Sequence, residues 1–392
     1  MRRALFVVLA GLPAVAAALV ACSSDPAPSV ADAGTHRDAS KTDAPFEASD
    51  AGEPRNPPQL PACLGDALPL QRSGEKSYVR IPMSAPVDGG VQSVGDFLVD
   101  FGSNASSIDL AGGFKHTTPP APLFCNGDPK LPGASCAFGY FDFFGPWGTV
   151  YLSTADFGAL VSTLRQSGIL GTDFLSTHPY TLDHVARRIL RGSSTSFCGD
   201  PQLVSAGFVP LPTDGFYVND TKKLRPLSEV ITTPDAGIEK FTVPNVPTVP
   251  IAIGGVNALA QLDTGFDDRL VRHSLNINEA LLQAIQQKDP TLLERVPSED
   301  IYLTTCVNGI SQLAQAWSLK PGTAVDFLGA NALVARHDYG TMVFVKDTPK
   351  EIAVCGGIDT WTVPAAQVGA SFLVDAYAVV FDPFTSRVWI PK

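Results

Sequence analysis

Gln261-Leu262-Asp263-Thr264-Gly265 decides how the rest of the chain is read. It follows an apolar run, Val249-Pro250-Ile251-Ala252-Ile253, a Gly254-Gly255 turn and a second short strand over 258–262. A carboxylate at the end of a buried strand must be solvated, paired or used chemically, because burying a lone charge is costly. The same arrangement occurs earlier, in Phe97-Leu98-Val99-Asp100-Phe101-Gly102-Ser103. Asp100 and Asp263 are therefore candidates to face each other across a cleft, one from each half of the chain.

The repetition continues downstream. Gly171-Thr172-Asp173-Phe174-Leu175 answers Gly369-Ala370-Ser371-Phe372-Leu373. Each is followed by a Tyr (Tyr180, Tyr377), an Asp (Asp183, Asp382) and a basic residue (Arg187, Arg387) in the same order. Two matched motifs in the same order are hard to obtain by accident, and they predict a pseudo-two-fold pairing of one β unit.

Composition agrees. With 34 Gly and 33 Pro in 392 residues, and only 17 % charged, the chain reads as turn-rich β structure, long enough for two units with a sizeable core. A net charge of -11 argues against nucleic acid, whose phosphates need a basic face. Short strands are expected near 78–82, 95–99, 149–152, 208–211, 243–253, 301–303, 327–328, 332–334 and 341–345. Residues 226–240 read as a polar connection between halves. Asn278 caps a helix that runs to about 287, and Pro290 stops it.

The first residues read as a targeting segment. Arg2 and Arg3 precede an apolar stretch over 4–20. Leu19-Val20-Ala21-Cys22 then resembles a bacterial lipobox. That resemblance implies a signal peptide over 1–21, lipidation of Cys22, and anchoring to the bacterial cell envelope. Ser23 leans towards the outer membrane. Residues 22–58 are Ser/Asp/Ala/Pro-rich and too poor in large apolar groups to offset their ordering entropy, so they read as a disordered tether. Membrane contact is expected through the lipid alone.

Setting Cys22 aside leaves six of seven cysteines, in an exported protein where disulfides persist. Locality favours Cys125–Cys136 and Cys306–Cys355, leaving Cys63–Cys198, with other connectivities open. There is no Cys-x-x-Cys and no His-Glu-x-x-His motif, so neither a metal site nor a cofactor is expected.

Over 63–392 the chain resembles the pepsin-like aspartic proteases. In that family each lobe gives one Asp-Thr/Ser-Gly turn and a later hydrophobic-hydrophobic-Gly strand that threads beneath it. Ile169-Leu170-Gly171 fits the second element, and Gln367-Val368-Gly369 fits it with one polar departure. The resemblance implies an all-β, bilobal pepsin-like fold with two pseudo-two-fold-related β lobes and a few short helices. The lobes would be 59–200, carrying Asp100, and 201–392, carrying Asp263. Cys306 and Cys355 sit where such C-terminal lobes often carry a disulfide. The aromatic, Gly-punctuated stretch 137–148 reads as a hairpin over the cleft, with Phe138, Gly139 and Tyr140 near its tip as flap and substrate contacts.

The implied activity is that of a surface-tethered aspartic endopeptidase. Two adjacent carboxylates cannot both ionise; one activates a water and the other protonates the scissile carbonyl oxygen. Phe101, Gly102, Ser103, Thr264 and Gly265 form the loops around them. The implied partner is a polypeptide substrate or protein ligand in the inter-lobe cleft of a monomer. Two departures stand out. Phe101 replaces the family's Thr or Ser, whose hydroxyl locks the two loops together. Phe266-Asp267-Asp268 replaces small hydroxyl residues, and the two extra charges would raise the pair's working pH. Restoring Phe101→Thr is expected to raise activity or stability. The alternative reading is a catalytically inactive pepsin-like domain that serves as a binding or inhibitor module. In an unrelated β-rich surface protein the two Asp would be ordinary turn residues; the repeat argues against that.

Overall fold

The computed structural model describes residues 59–84, 91–104, 106–109, 124–126, 135–137, 153–155, 166–216, 231–233, 237–239, 246–266, 272–304, 311–330, 333–338, 341–346 and 357–392. They form mostly β structure, in two large mixed sheets of 13 and 10 strands. Helices are few and short. The longest among the described residues, Glu279–Lys288, is capped by the Asn278 side chain accepting from the Leu281 N–H, as its sequence predicts.

Each half repeats one local construction. In the first, strands Lys76–Ser84 and Val91–Val99 form an antiparallel pair. Val91–Val99 then runs parallel to Gln166–Leu170, with Val99 opposite Leu170. In the second, Thr248–Ile253 and Val256–Leu262 form the hairpin. Gly254 and Gly255 turn it with φ of 55° and 76°, the left-handed pair that a tight two-residue hairpin loop requires. Val256–Leu262 runs parallel to Ala365–Val368, with Leu262 opposite Val368. The ends of the two parallel-paired strands that lead to Asp100 and Asp263 are buried, at Phe97, Leu98 and Val99 and at Ala260 and Leu262.

The halves meet in the larger sheet. Strands Tyr180–Asp183 and Ala378–Asp382 pair antiparallel, with Tyr180 opposite Phe381 and Leu182 opposite Val379. Each continues through a hairpin, to Arg188–Arg191 and Arg387–Pro391 respectively. Those are flanked in turn by Asp66–Ser73 and Phe208–Pro212. The six-strand order is therefore palindromic about the Thr181–Val380 pair.

This register corrects part of the downstream repeat. Asp183 and Asp382 are counterparts, each accepting backbone N–H bonds inside its hairpin turn. Arg188, not Arg187, corresponds to Arg387. Arg187 matches Ser386, because both turns need a left-handed residue there (φ 53° and 54°). Tyr377 precedes its strand, at φ 63°, and has no counterpart in Tyr180. Within residues 226–240, strands Ile231–Thr233 and Gly237–Glu239 pair antiparallel.

One buried apolar cluster runs through both halves, from Val79, Phe97 and Val99 to Ile251, Leu262, Val368 and Phe381. A second, around Leu64, Leu190, Leu203 and Trp389, lies beside the Cys63–Cys198 disulfide, which is formed with a Cα–Cα distance of 5.0 Å. Cys125 and Cys136 stand opposite each other in the pairing of Phe124–Asn126 with Ser135–Ala137. Cys306 and Cys355 lie outside the described residues. No helix among the described residues is long and apolar enough to cross a membrane.

Candidate active site

Asp100 and Asp263 end equivalent strands and are held in equivalent ways. The Asp100 N–H donates to the Leu170 carbonyl at 3.0 Å, and the Asp263 N–H to the Val368 carbonyl at 2.9 Å. Asp100 Oδ1 accepts from the N–H groups of Gly102 (2.8 Å) and Ser103 (3.2 Å). Asp263 Oδ1 accepts from those of Gly265 (2.8 Å) and Phe266 (2.9 Å). Both side chains are fully buried.

The two turns are crossed. A Cβ on Gly102 would lie 2.2 Å from Asp263 Cγ, and one on Gly265 would lie 2.5 Å from Asp100 Oδ2. Each glycine thus makes room for the other turn's carboxyl group, the close approach for which glycine is required. The two carboxyl groups are thereby brought close to each other. Burial, then the neighbouring Asp100, pushes Asp263 well above the ordinary carboxylate range, and the charge of Lys76 opposes this in part. Such a pair retains one proton where isolated carboxyls have lost theirs. It can offer a base and an acid to one small molecule at the same moment.

Thr264 ties the turns together. Its hydroxyl accepts from the Phe101 N–H at 2.9 Å and donates to the Val99 carbonyl at 2.7 Å. The reciprocal hydroxyl is lacking, since Phe101 has none. Its ring instead stacks on Phe381, with centroids 3.6 Å apart and planes 9° from parallel, and meets the Phe216 ring edge-on at 5.9 Å. The bulk of Phe101 is housed in the shared core rather than in open space. Ser103 closes the first turn from the other side: its carbonyl accepts the Thr172 N–H at 2.8 Å, fixing the short helix Thr172–Leu175.

A further contact involves residues that sequence reasoning did not place. The Gln367 carboxamide donates through Nε2 to Asp263 Oδ2 at 2.5 Å. Asn276 Nδ2 donates to Gln367 Oε1 at 2.7 Å. Gln367 stands opposite Asn276 in one strand pair and opposite Gln261 in the other. The matching positions of the first half are Ile169, Ser107 and Leu98. The signal was present in the polar departure at Gln367, but only the pairing with Asn276 shows where the amide points.

Phe138, Gly139 and Tyr140 lie outside the described residues, as do Asp267, Asp268 and Cys22. Among the described residues no His/Cys/Asp/Glu group is arranged to hold a metal ion. The chain matches no family model and no curated protein.

Proposed function

We propose that this chain is an aspartic-type endopeptidase on a bilobal, pepsin-like scaffold, hydrolysing peptide bonds with a water activated between Asp100 and Asp263. The observation that carries the reading is the buried carboxyl pair, brought together by crossed Asp-x-Gly turns from two equivalent strands. The palindromic central sheet supports the lobe assignment.

In the monoanionic pair, the ionised member takes a proton from the bound water as its oxygen attacks the scissile carbonyl carbon. The protonated member donates to the carbonyl oxygen, giving a neutral tetrahedral diol. Collapse breaks the C–N bond; the amine leaves with the proton held by the first carboxyl, and the diol returns a proton to the second. No covalent enzyme intermediate forms. Packing of Phe101 against Phe381 supports an active site over an inactive module, because the turn carrying Asp100 keeps its N–H cradle despite the substitution.

The test is hydrolysis of an unstructured polypeptide in heavy-oxygen water. One heavy atom in each new carboxyl terminus, with no acyl-enzyme trapped by hydroxylamine, is the expected result. A trapped acyl-enzyme would overturn the mechanism. We also propose attachment to the cell envelope through a lipid on Cys22; acyl labelling retained in Cys22→Ser would contradict it.

A further inference from the structure

The hairpin that leads into the first turn carries a buried lysine, and its counterpart in the second half does not. We infer that Lys76 is the positive charge that tunes the carboxyl pair, and that Arg272 is a positioning residue that keeps Lys76 in place by clasping the hairpin across the two halves. This rests on the proposed peptidase reading and deepens it by naming what sets the acid limb of its pH profile.

Strand register puts Lys76 beside the pair. Strands Lys76–Ser84 and Val91–Val99 are antiparallel, with Tyr78 opposite Leu98. Two steps further along the same register, Lys76 stands opposite Asp100. Residues directly opposite in an antiparallel pair point to the same face, with Cβ atoms about 5 Å apart. Lys76 is only 8 % exposed, so its charge acts with little screening by water. In the second half Thr248 stands opposite Gln261, and the Leu262 N–H donates to the Pro247 carbonyl at 2.9 Å. The same two steps bring Val246, buried and apolar, opposite Asp263. The pair thus has a lysine where the pseudo-two-fold offers a valine on the other side. Lys76 acts on Asp263 against the upward pull of burial and of Asp100.

The tip of the hairpin is tied to the second half. Gly74, at φ 60°, turns the chain between Ser73 and Lys76 and leaves Glu75 at the tip. Glu75 pairs with Arg72 of its own hairpin and, at 3.0 Å, with Arg272 of the second half. Arg272 also pairs with Asp375, and His273 Nε2 lies 2.6 Å from the same carboxylate. His184 acts with Arg72 and Asp375 electrostatically. Arg72, Glu75, Arg272, Asp375 and His273 form one charged network between the hairpin and the second half. Glu75 is next in sequence to Lys76, so what fixes Glu75 fixes the lysine.

The experiment compares wild-type protein with Lys76→Met, Lys76→Arg, Arg272→Met and Glu75→Gln. Two readouts are taken as functions of pH: polypeptide hydrolysis and thermal unfolding. Without the ammonium, burial and Asp100 act unopposed, and the pair keeps its proton to higher pH. The acid limb of Lys76→Met should move up by about half a pH unit, about threefold in the ionisation constant. Lys76→Arg, which keeps the charge, should stay with wild type. Arg272→Met and Glu75→Gln should both move the limb up, by less than Lys76→Met. As bare charges these two would act in opposite directions, so a common direction marks the clasp. The unfolding titration should follow. A carboxyl with a raised folded-state pKa stabilises the fold at low pH and loses that contribution as pH rises through the folded value, so in Lys76→Met the loss comes at higher pH.

If wild type cleaves nothing but the unfolding titration shifts in Lys76→Met and not in Lys76→Arg, the peptidase reading fails and the role of Lys76 stands. An unmoved limb and titration in Lys76→Met, or an equal shift in Lys76→Arg, overturns the inference. Opposite shifts in Arg272→Met and Glu75→Gln overturn the clasp. Should Lys76→Met not fold, unmoved profiles in both clasp variants overturn the inference equally.

Discussion

Phe101 and Phe381 stack face to face across the join between the two halves, with ring centroids 3.6 Å apart. One belongs to the turn that carries Asp100, the other to a central strand of the larger sheet. The aromatic residue that breaks the sequence pattern is thus a packing element between the turn and the scaffold. Its ring meets Phe216 as well, and it is fully buried.

This contact reverses the sign expected from sequence for Phe101→Thr. A hydroxyl would regain one bond worth about 1 kcal/mol. It would also leave a cavity between Phe216 and Phe381, at a cost of about 3 kcal/mol or more for a truncated buried Phe. Chemical denaturation should show a net loss of about 2 kcal/mol. A gain in stability would contradict the packing described.

Thr264 carries the lock between the turns alone. Thr264→Val keeps the shape but leaves the buried Phe101 N–H and Val99 carbonyl without that partner. Each orphaned group costs about 1–3 kcal/mol. Stability should fall by about 2–4 kcal/mol, with hydrolysis falling further than occupancy of the folded state accounts for. Thr264→Ser, which retains the hydroxyl, should recover most of both.

His184 makes the fold sensitive to acid. It is buried, neither ring nitrogen has a hydrogen-bond partner among the described residues, and Arg72, Asp183 and Asp375 act on it. Burial first, then Arg72, lowers its pKa from 6.5 to about 4. The unfolded chain therefore binds a proton between those values that the folded chain refuses. The His184 contribution is intact at neutral pH and is lost as pH falls from about 6.5 towards 4. At about pH 5 the loss is about 2 kcal/mol relative to about pH 8. The buried carboxyl pair works in the opposite direction, because its raised pKa favours the folded state as pH falls. Comparing His184→Leu with wild type cancels that second effect. The stability advantage of the variant should be about 2 kcal/mol larger at the lower pH; an advantage independent of pH would contradict the assignment.

What could be read from the sequence was whatever repeats. The Asp-x-Gly turns and the Gly-led segments after strands Gln166–Leu170 and Ala365–Val368 repeat because each half solves the same backbone problem, and the structure places them equivalently. Asn278 was legible because a helix N-cap is a local signal. What could not be read depends on cross-strand register. Tyr377 looked like a partner for Tyr180 until the pairing of Tyr180 with Phe381 fixed the alignment. Phe101 looked like a fault because its partners, Phe216 and Phe381, lie far along the chain. Gln367 read only as a polar departure, because Asn276 and Asp263 meet it only through strand pairing.

The central claim is that Asp100 and Asp263 act as one proton-sharing pair. The most direct test measures polypeptide cleavage by wild type, Asp100→Asn and Asp263→Asn across about pH 3 to 7, with folding checked for each. The account predicts a bell-shaped profile for wild type and loss of activity by about a thousandfold or more in both variants, as removal of either half of an acid–base pair should produce. Cleavage by either folded variant at a rate near that of wild type would contradict it.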